Sequence, residues 1–213
     1  SRVDPATKNV QTIPVGNSPS GITVGGGAVW VANSLDGTVS RIDPGTNQVV
    51  QTVDVGNGPV GIAYGAGSVW VANTGDGTIT RIDAESGKPD KTLPIAATEL
   101  AFGEGALWAT QRAASRVVRI DPASNEVVQP IAVGNGPSGI AVGDRSVWVA
   151  NNLDGTVTQI DPVTSSVEHV IPTGNGPASI AVNDRGVWVS NQFDGTVVRI
   201  DPRTGQRAQT IRV

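Results

Sequence analysis

Residues 133–162 read Val133-Gly-Asn-Gly-Pro-Ser-Gly-Ile-Ala-Val-Gly-Asp-Arg-Ser-Val-Trp-Val-Ala-Asn-Asn-Leu-Asp-Gly-Thr-Val-Thr-Gln-Ile-Asp-Pro162. This stretch decides the fold because the chain writes it five times. Trp30, Trp70, Trp108, Trp148 and Trp188 mark one position of it, 40, 38, 40 and 40 residues apart. A fixed period near 40 residues describes an array of one supersecondary unit, each too small to bury its own apolar face.

Working outward from Trp148, apolar residues alternate or form short β-branched runs bounded by Gly, Pro, Asn and Asp. Ser138–Val142 reads as a first strand, Ser146–Asn151 as a second, Thr156–Ile160 as a third and Ser166–Ile171 as a fourth. Trp148 faces away from Val147 and Val149 because strand side chains alternate. Asp154-Gly155 is a hairpin signal between strands two and three. At Asp161-Pro162 the carboxylate can accept from backbone N–H groups two or three residues on. The lead-in Gly174-Asn175-Gly176-Pro177 calls for positive φ. No stretch holds a helical apolar period, and 27 Gly with 14 Pro would interrupt one. The expected fold is all-β, a β-propeller of four-stranded antiparallel blades with the recurrent Trp packed between blades.

The copies start out of phase. Residues 2–14 match Arg199–Ile211, the tail of a unit, so five complete units follow half of another. Residues 1–213 read as a single propeller domain, with 1–14 supplying surplus outer strand at the closure seam. Two arrangements remain open: five blades closing with that extra strand, or part of a six- or seven-bladed ring. An unpaired outer edge is a template for association, so an edge-mediated dimer is expected if the ring stays open.

Net charge is −4 and evenly spread, leaving no basic footprint for nucleic acid. Nothing approaches 18 consecutive apolar residues, so no membrane insertion is expected. Cysteine is absent, which removes disulfides and thiolate metal sites. Methionine is absent too, even at position 1, so the chain reads as an excised, processed or engineered segment.

Val29-Trp-Val-Ala-Asn33, followed by Asp36-Gly-Thr-Val and Arg41-Ile-Asp-Pro44, resembles the YVTN family of β-propeller repeats, and residues 29–62 carry the motif almost intact. More distantly the chain is similar to NHL-type repeats and to the streptogramin (virginiamycin B) lyase propellers. The YVTN resemblance implies a secreted, periplasmic or cell-surface binding or scaffold module. The lyase resemblance implies a catalytic histidine and a magnesium site near the channel. Here the lone histidine, His169, falls in an outer fourth strand beside Glu168, and no acidic cluster marks an inner strand.

No catalytic residue, metal or cofactor is therefore assigned. The Asp-Gly hairpins at Asp36, Asp76, Asp154 and Asp194 lack the ligand run of an EF-hand loop. The third copy is irregular. It replaces Gly-Asn-Gly-Pro by Ala96-Ala97, puts Glu99 where other copies have Gly21, Gly61, Gly139 and Ser179, and reads Gln111-Arg112-Ala-Ala-Ser-Arg116 at its hairpin. Glu99, Gln111, Arg112 and Arg116 are the candidate ligand-binding residues, suited to an anion or polar ligand on one face of the disc. Drift in one module is the competing reading. The function expected is a non-enzymatic binding or scaffold propeller for a protein or small polar ligand. The alternatives are a streptogramin lyase-like enzyme and a designed or consensus-like scaffold without ligand.

Overall fold

The computed structural model describes all 213 residues, Ser1–Val213. A short antiparallel pair opens the chain, β1 (Arg2–Val3) with β2 (Val10–Gln11). The first repeat is β3 (Pro19–Gly25), β4 (Ala28–Asn33), β5 (Thr38–Asp43) and β6 (Gln48–Asp54). The second is β7 (Pro59–Gly65), β8 (Ser68–Asn73), β9 (Thr78–Asp83) and β10 (Lys88–Leu93). The third is β11 (Leu100–Gly103), β12 (Ala106–Gln111), β13 (Arg116–Ile120) and β14 (Val127–Ala132). The fourth is β15 (Pro137–Gly143), β16 (Ser146–Asn151), β17 (Thr156–Asp161) and β18 (Ser166–Pro172), and the fifth is β19 (Pro177–Asn183), β20 (Gly186–Asn191), β21 (Thr196–Asp201) and β22 (Gln206–Arg212). Each repeat is one four-stranded antiparallel meander in sequence order, as expected. A single 3-10 turn, Arg112–Ala114, is the only helical element.

Strand ends fall at, or one residue past, the limits read from the sequence. Pro137 opens β15 opposite Asn151, and Gly143 closes it opposite Ser146. Proline is tolerated at a first strand residue because no ladder donor is needed there. The turns behave as their residues dictate. Asp161 Oδ1 accepts from the N–H groups of Val163 and Thr164 at 2.7 and 3.3 Å, and Asp4, Asp43, Asp121 and Asp201 repeat the pattern. In the second repeat, which lacks the proline, Asp83 takes Ser86 N–H and hydroxyl instead. Gly58, Gly136 and Gly176 of the lead-in loops have φ of 62°, 65° and 67°, a region open to glycine without strain.

The chain packs into two compact units, Ser1–Ala96 and Ala97–Val213. In the first, Trp30 with Val39 and Val53 packs on Ile62, Val69, Val71 and Ile82 of the next repeat. In the second, Trp108 packs on Val147, Val149 and Ile160, and Trp148 on Val187, Val189 and Ile200. The tryptophan therefore sits between successive sheets, as the alternation predicts. Its indole N–H donates to the carbonyl of Gly25, Gly65, Gly103 or Gly143 in its own repeat at 3.0–3.3 Å. Burying an aromatic of this size with its donor satisfied adds a large apolar gain at each repeat where it occurs. Arg41, Arg81, Arg119 and Arg199 lie over the rings of Trp30, Trp70, Trp108 and Trp188 at 5.1–5.9 Å, adding cation–π contacts. Trp188, in the last repeat, stays partly exposed, whereas the other four are fully buried.

Candidate functional site

The turn between the second and third strands of a repeat is built from side chains outward. Asn151, fully buried at the end of β16, donates through Nδ2 to Thr156 Oγ1 and Thr158 Oγ1 at 3.0 and 2.8 Å. Asn33 with Thr38 and Ser40, and Asn73 with Thr78 and Thr80, repeat the same bonds. Asn191 bonds Thr196. These asparagines end the Trp motif, yet nothing in one copy announces their role. The signal is their recurrence with a hydroxyl residue five positions later.

The hairpin aspartates have an equally specific task. Asp154 Oδ2 accepts from the backbone N–H of Asn135 at 2.6 Å, while Oδ1 accepts from Asn135 Nδ2 at 2.9 Å. Asp36 with Asn17, Asp76 with Asn57 and Asp194 with Asn175 form the same clasp. Each clasp ties the loop leading into a repeat to that repeat's own hairpin. The backbone N–H of Asn17 or Asn135, seconded by the side-chain amide, holds the Asp36 and Asp154 carboxyls below the usual carboxylate range. Sequence reading gave these aspartates to turn geometry alone and missed the long-range partner.

In the second unit the clasps join into a stitched rim. Val133 N–H donates to Ser115 O at 3.0 Å, linking the third repeat's hairpin to the loop before the fourth. Asn135 and Asp154 carry the connection to the fourth hairpin. Thr173 N–H then donates to Gly155 O at 2.9 Å, and Asn175 with Asp194 reaches the fifth. Leu153 and Phe193 stand out of this rim, 70% and 74% exposed, next to the aspartates that fix their loops. Leu35 holds the same position in the first repeat, 79% exposed.

The third repeat departs from this plan where the sequence does. Ala114 replaces the clasping aspartate, and the two residues lost before Ala97 remove its partner. Gln111 and Arg116 take the places of the buried Asn and its Thr, and Arg116 Nε donates to Gln111 Oε1. Arg112 begins the 3-10 turn and is exposed. Glu99 precedes β11, with its backbone N–H bonded to Thr110 Oγ1 at 3.0 Å and its carbonyl accepting from Thr110 N–H at 3.0 Å. Gln111 and Arg116 thus meet, whereas Glu99 forms no ion pair with Arg112 or Arg116. Burial without a neutralising cation pushes the Glu99 carboxyl up to about 7.

At one position of the repeat the first strand comes very close to the next sheet. A Cβ on Gly21 or Gly139 would lie 2.2 Å from Val60 O or 2.5 Å from Ala178 O, the backbone of the next sheet. Glu99 occupies the corresponding place, and β11 begins only after it, four residues long against seven in β3, β7, β15 and β19.

The magnesium site that the lyase resemblance implies can be tested against the donors present. Magnesium takes octahedral oxygen ligands, chiefly carboxylates. No three His, Cys, Asp or Glu side chains gather anywhere in the chain. His169 lies in β18, the outermost strand of its sheet, with Nδ1 3.1 Å from Gln159 Oε1. The residues do not fit the ion.

Comparison with known proteins agrees on the architecture. The chain is similar to virginiamycin B lyase from Staphylococcus aureus, with TM-score 0.77 at 19% identity over 90% of this chain and 69% of that one. It is similar to U3-55K, with TM-score 0.81 at 16% identity over 92% of this chain, and to the RRP9 WD40 repeats, with TM-score 0.80 at 16% identity over 92%. It spans 64% of the length of each of those two structures. These likenesses show the β-propeller fold. No curated protein matches the sequence. Residues 6–209 match one family along nearly the whole chain, and the protein belongs to the virginiamycin B lyase family.

Proposed function

We propose that the protein is a non-enzymatic binding module that engages a protein partner through its hairpin tips. The observation that carries this reading is the stitched rim of the second unit. Clasped loops hold Leu153 and Phe193 in solvent at fixed positions, which reduces the ordering cost that a flexible loop would meet on binding. Arg112, exposed on the neighbouring hairpin, supplies positive charge for an acidic or anionic group. Glu99, Gln111 and Arg116 extend this candidate surface at the third repeat. A secreted, periplasmic or cell-surface location accompanies the reading, in line with the YVTN-like motif.

A lyase activity of the kind that names the family is the second reading, favoured by a Glu99 carboxyl poised near neutrality, where a general acid–base works best. One experiment separates the two. Incubation with virginiamycin B, followed by mass spectrometry, gives unchanged substrate if the binding reading holds. Turnover that disappears in Glu99→Ala and Arg112→Ala would establish the enzyme instead.

A further inference from the structure

Three of the clasped asparagines stand directly before a glycine, as Asn57-Gly58, Asn135-Gly136 and Asn175-Gly176, while the first clasp has Asn17-Ser18 in that place. An asparagine followed by glycine is open to spontaneous deamidation, because no Cβ shields the glycine nitrogen from the side-chain carbonyl carbon. Asn135 and Asn175 are both exposed, so water reaches them. The Gly136 N–H meets no acceptor in the chain, which leaves its nitrogen available as a nucleophile.

The clasp opposes each step of that chemistry. Ring closure needs the Asn135 side chain turned toward Gly136 N, and its nitrogen must then depart as ammonia. Asp154 Oδ1 holds Nδ2 at 2.9 Å while Oδ2 holds the backbone N–H of the same residue at 2.6 Å. One carboxylate thereby keeps the side-chain amide beside the residue's own N–H. Held below the ordinary carboxylate range, Asp154 is ionised at neutral pH and has no proton to give a departing nitrogen. The carbonyls of Asn135 and Gly136 accept from Leu153 and Asn152 N–H at 3.2 and 3.1 Å, which keeps the peptide between them from turning. Asp194 grips Asn175 with the same two bonds, at 2.7 and 2.8 Å.

We propose that Asn135 and Asn175 are latent deamidation sites that their clasps hold shut, so that opening a clasp starts an irreversible modification of the rim. Once Asp154 lets go, Gly136 N attacks Asn135 Cγ. The new C–N bond closes a succinimide, the Cγ–Nδ2 bond breaks, and Nδ2 leaves as ammonia with the proton that Gly136 N gives up. Water then opens the ring at either carbonyl, leaving an aspartate or an isoaspartate at position 135. The aspartate sets a carboxylate where Asp154 had met a donor, and the like charges repel. The isoaspartate lengthens the backbone by one carbon. In both products the corner that fixes Leu153 stays open.

The test follows the full chain by peptide mass spectrometry during incubation at mildly alkaline pH. Gly134-Asn-Gly-Pro137 and Gly174-Asn-Gly-Pro177 share one local sequence, so each site is the other's control. Asp154→Ala should speed deamidation of Asn135 relative to Asn175 by about 10-fold or more, the factor that a hydrogen bond to a charged group is worth. Asp194→Ala should reverse the order. In guanidinium, where both clasps are open, the two sites should react at one rate in wild type and variants alike. Equal rates at the two sites in folded Asp154→Ala would overturn the proposal, since a general loosening of the fold speeds both. A wild-type protein that deamidates as fast folded as unfolded would overturn it too.

Discussion

Asp154 grips Asn135 twice, by the backbone N–H at 2.6 Å and by the side-chain amide at 2.9 Å, across nineteen residues of sequence. The pair converts two loops that would otherwise move independently into one rigid corner. Removing the carboxylate leaves two donors without their acceptor. Asp154→Ala should lower the melting temperature and accelerate hydrogen exchange at the Asn135 amide. Protection at Asn135 equal to wild type would show that the corner is held by other bonds.

The clasp also sets an acid response. Asp36 and Asp154 are held below the ordinary carboxylate range in the folded state, so their share of stability is present above an unfolded carboxyl value of about 3.9. It is lost as pH falls through the lower folded value. Thermal melts in this acid range should show a decline that Asp36→Ala/Asp154→Ala reduces. A parallel decline in the double variant would remove the clasp from the account.

Glu99 works in the opposite direction. Its folded-state carboxyl is raised from 4.5 to about 7 by burial, so its contribution is full below about pH 4.5 and is lost as pH rises through 7. Glu99→Gln should therefore stabilise the protein by about 2 kcal/mol at pH 8 and by little at pH 4. Denaturant titrations at the two pH values check this; a gain that does not depend on pH would refute it.

Trp148 and Trp188 occupy one position of the repeat in different surroundings. Trp148 is fully buried against Val187, Val189 and Ile200, and Trp188 is partly exposed. Trp148→Ala should cost about 3–5 kcal/mol, as for other buried aromatics. Trp188→Ala should cost clearly less. Equal losses in chemical denaturation would mean that the indole stabilises within its own sheet and not between sheets.

Gly139 tests the close approach of first strands. A methyl group there would stand 2.5 Å from Ala178 O, so Gly139→Ala should destabilise by about 2 kcal/mol through forced backbone movement. The same change at Gly105, whose added Cβ would meet nothing within 4 Å, strains only its φ of +71° and serves as the comparison. A neutral Gly139→Ala would place that strand farther from its neighbour.

Much of the architecture was legible from period and alternation. Trp148 flanked by Val147 and Val149, and bounded by Gly143 and Asp154-Gly155, specifies a strand, its two faces and its turns, because these depend on residues close in sequence. The same reasoning placed His169 on an outer strand and marked the third repeat as irregular. The partners of the hairpin aspartates were not legible, nor was the Asn–Thr pairing, nor the reason for glycine at 21 and 139. Each depends on groups brought together from distant positions.

Local pattern determined four-stranded sheets repeated at about 40 residues and an aromatic to pack between them, since strand pleat and turn chemistry are short-range properties. Tertiary structure decided that Asp154 clasps Asn135, that Glu99 is buried without a neutralising cation, and that Ile22 and Val24 are largely exposed. Those outcomes follow from through-space contact, which the order of residues along one chain does not itself fix.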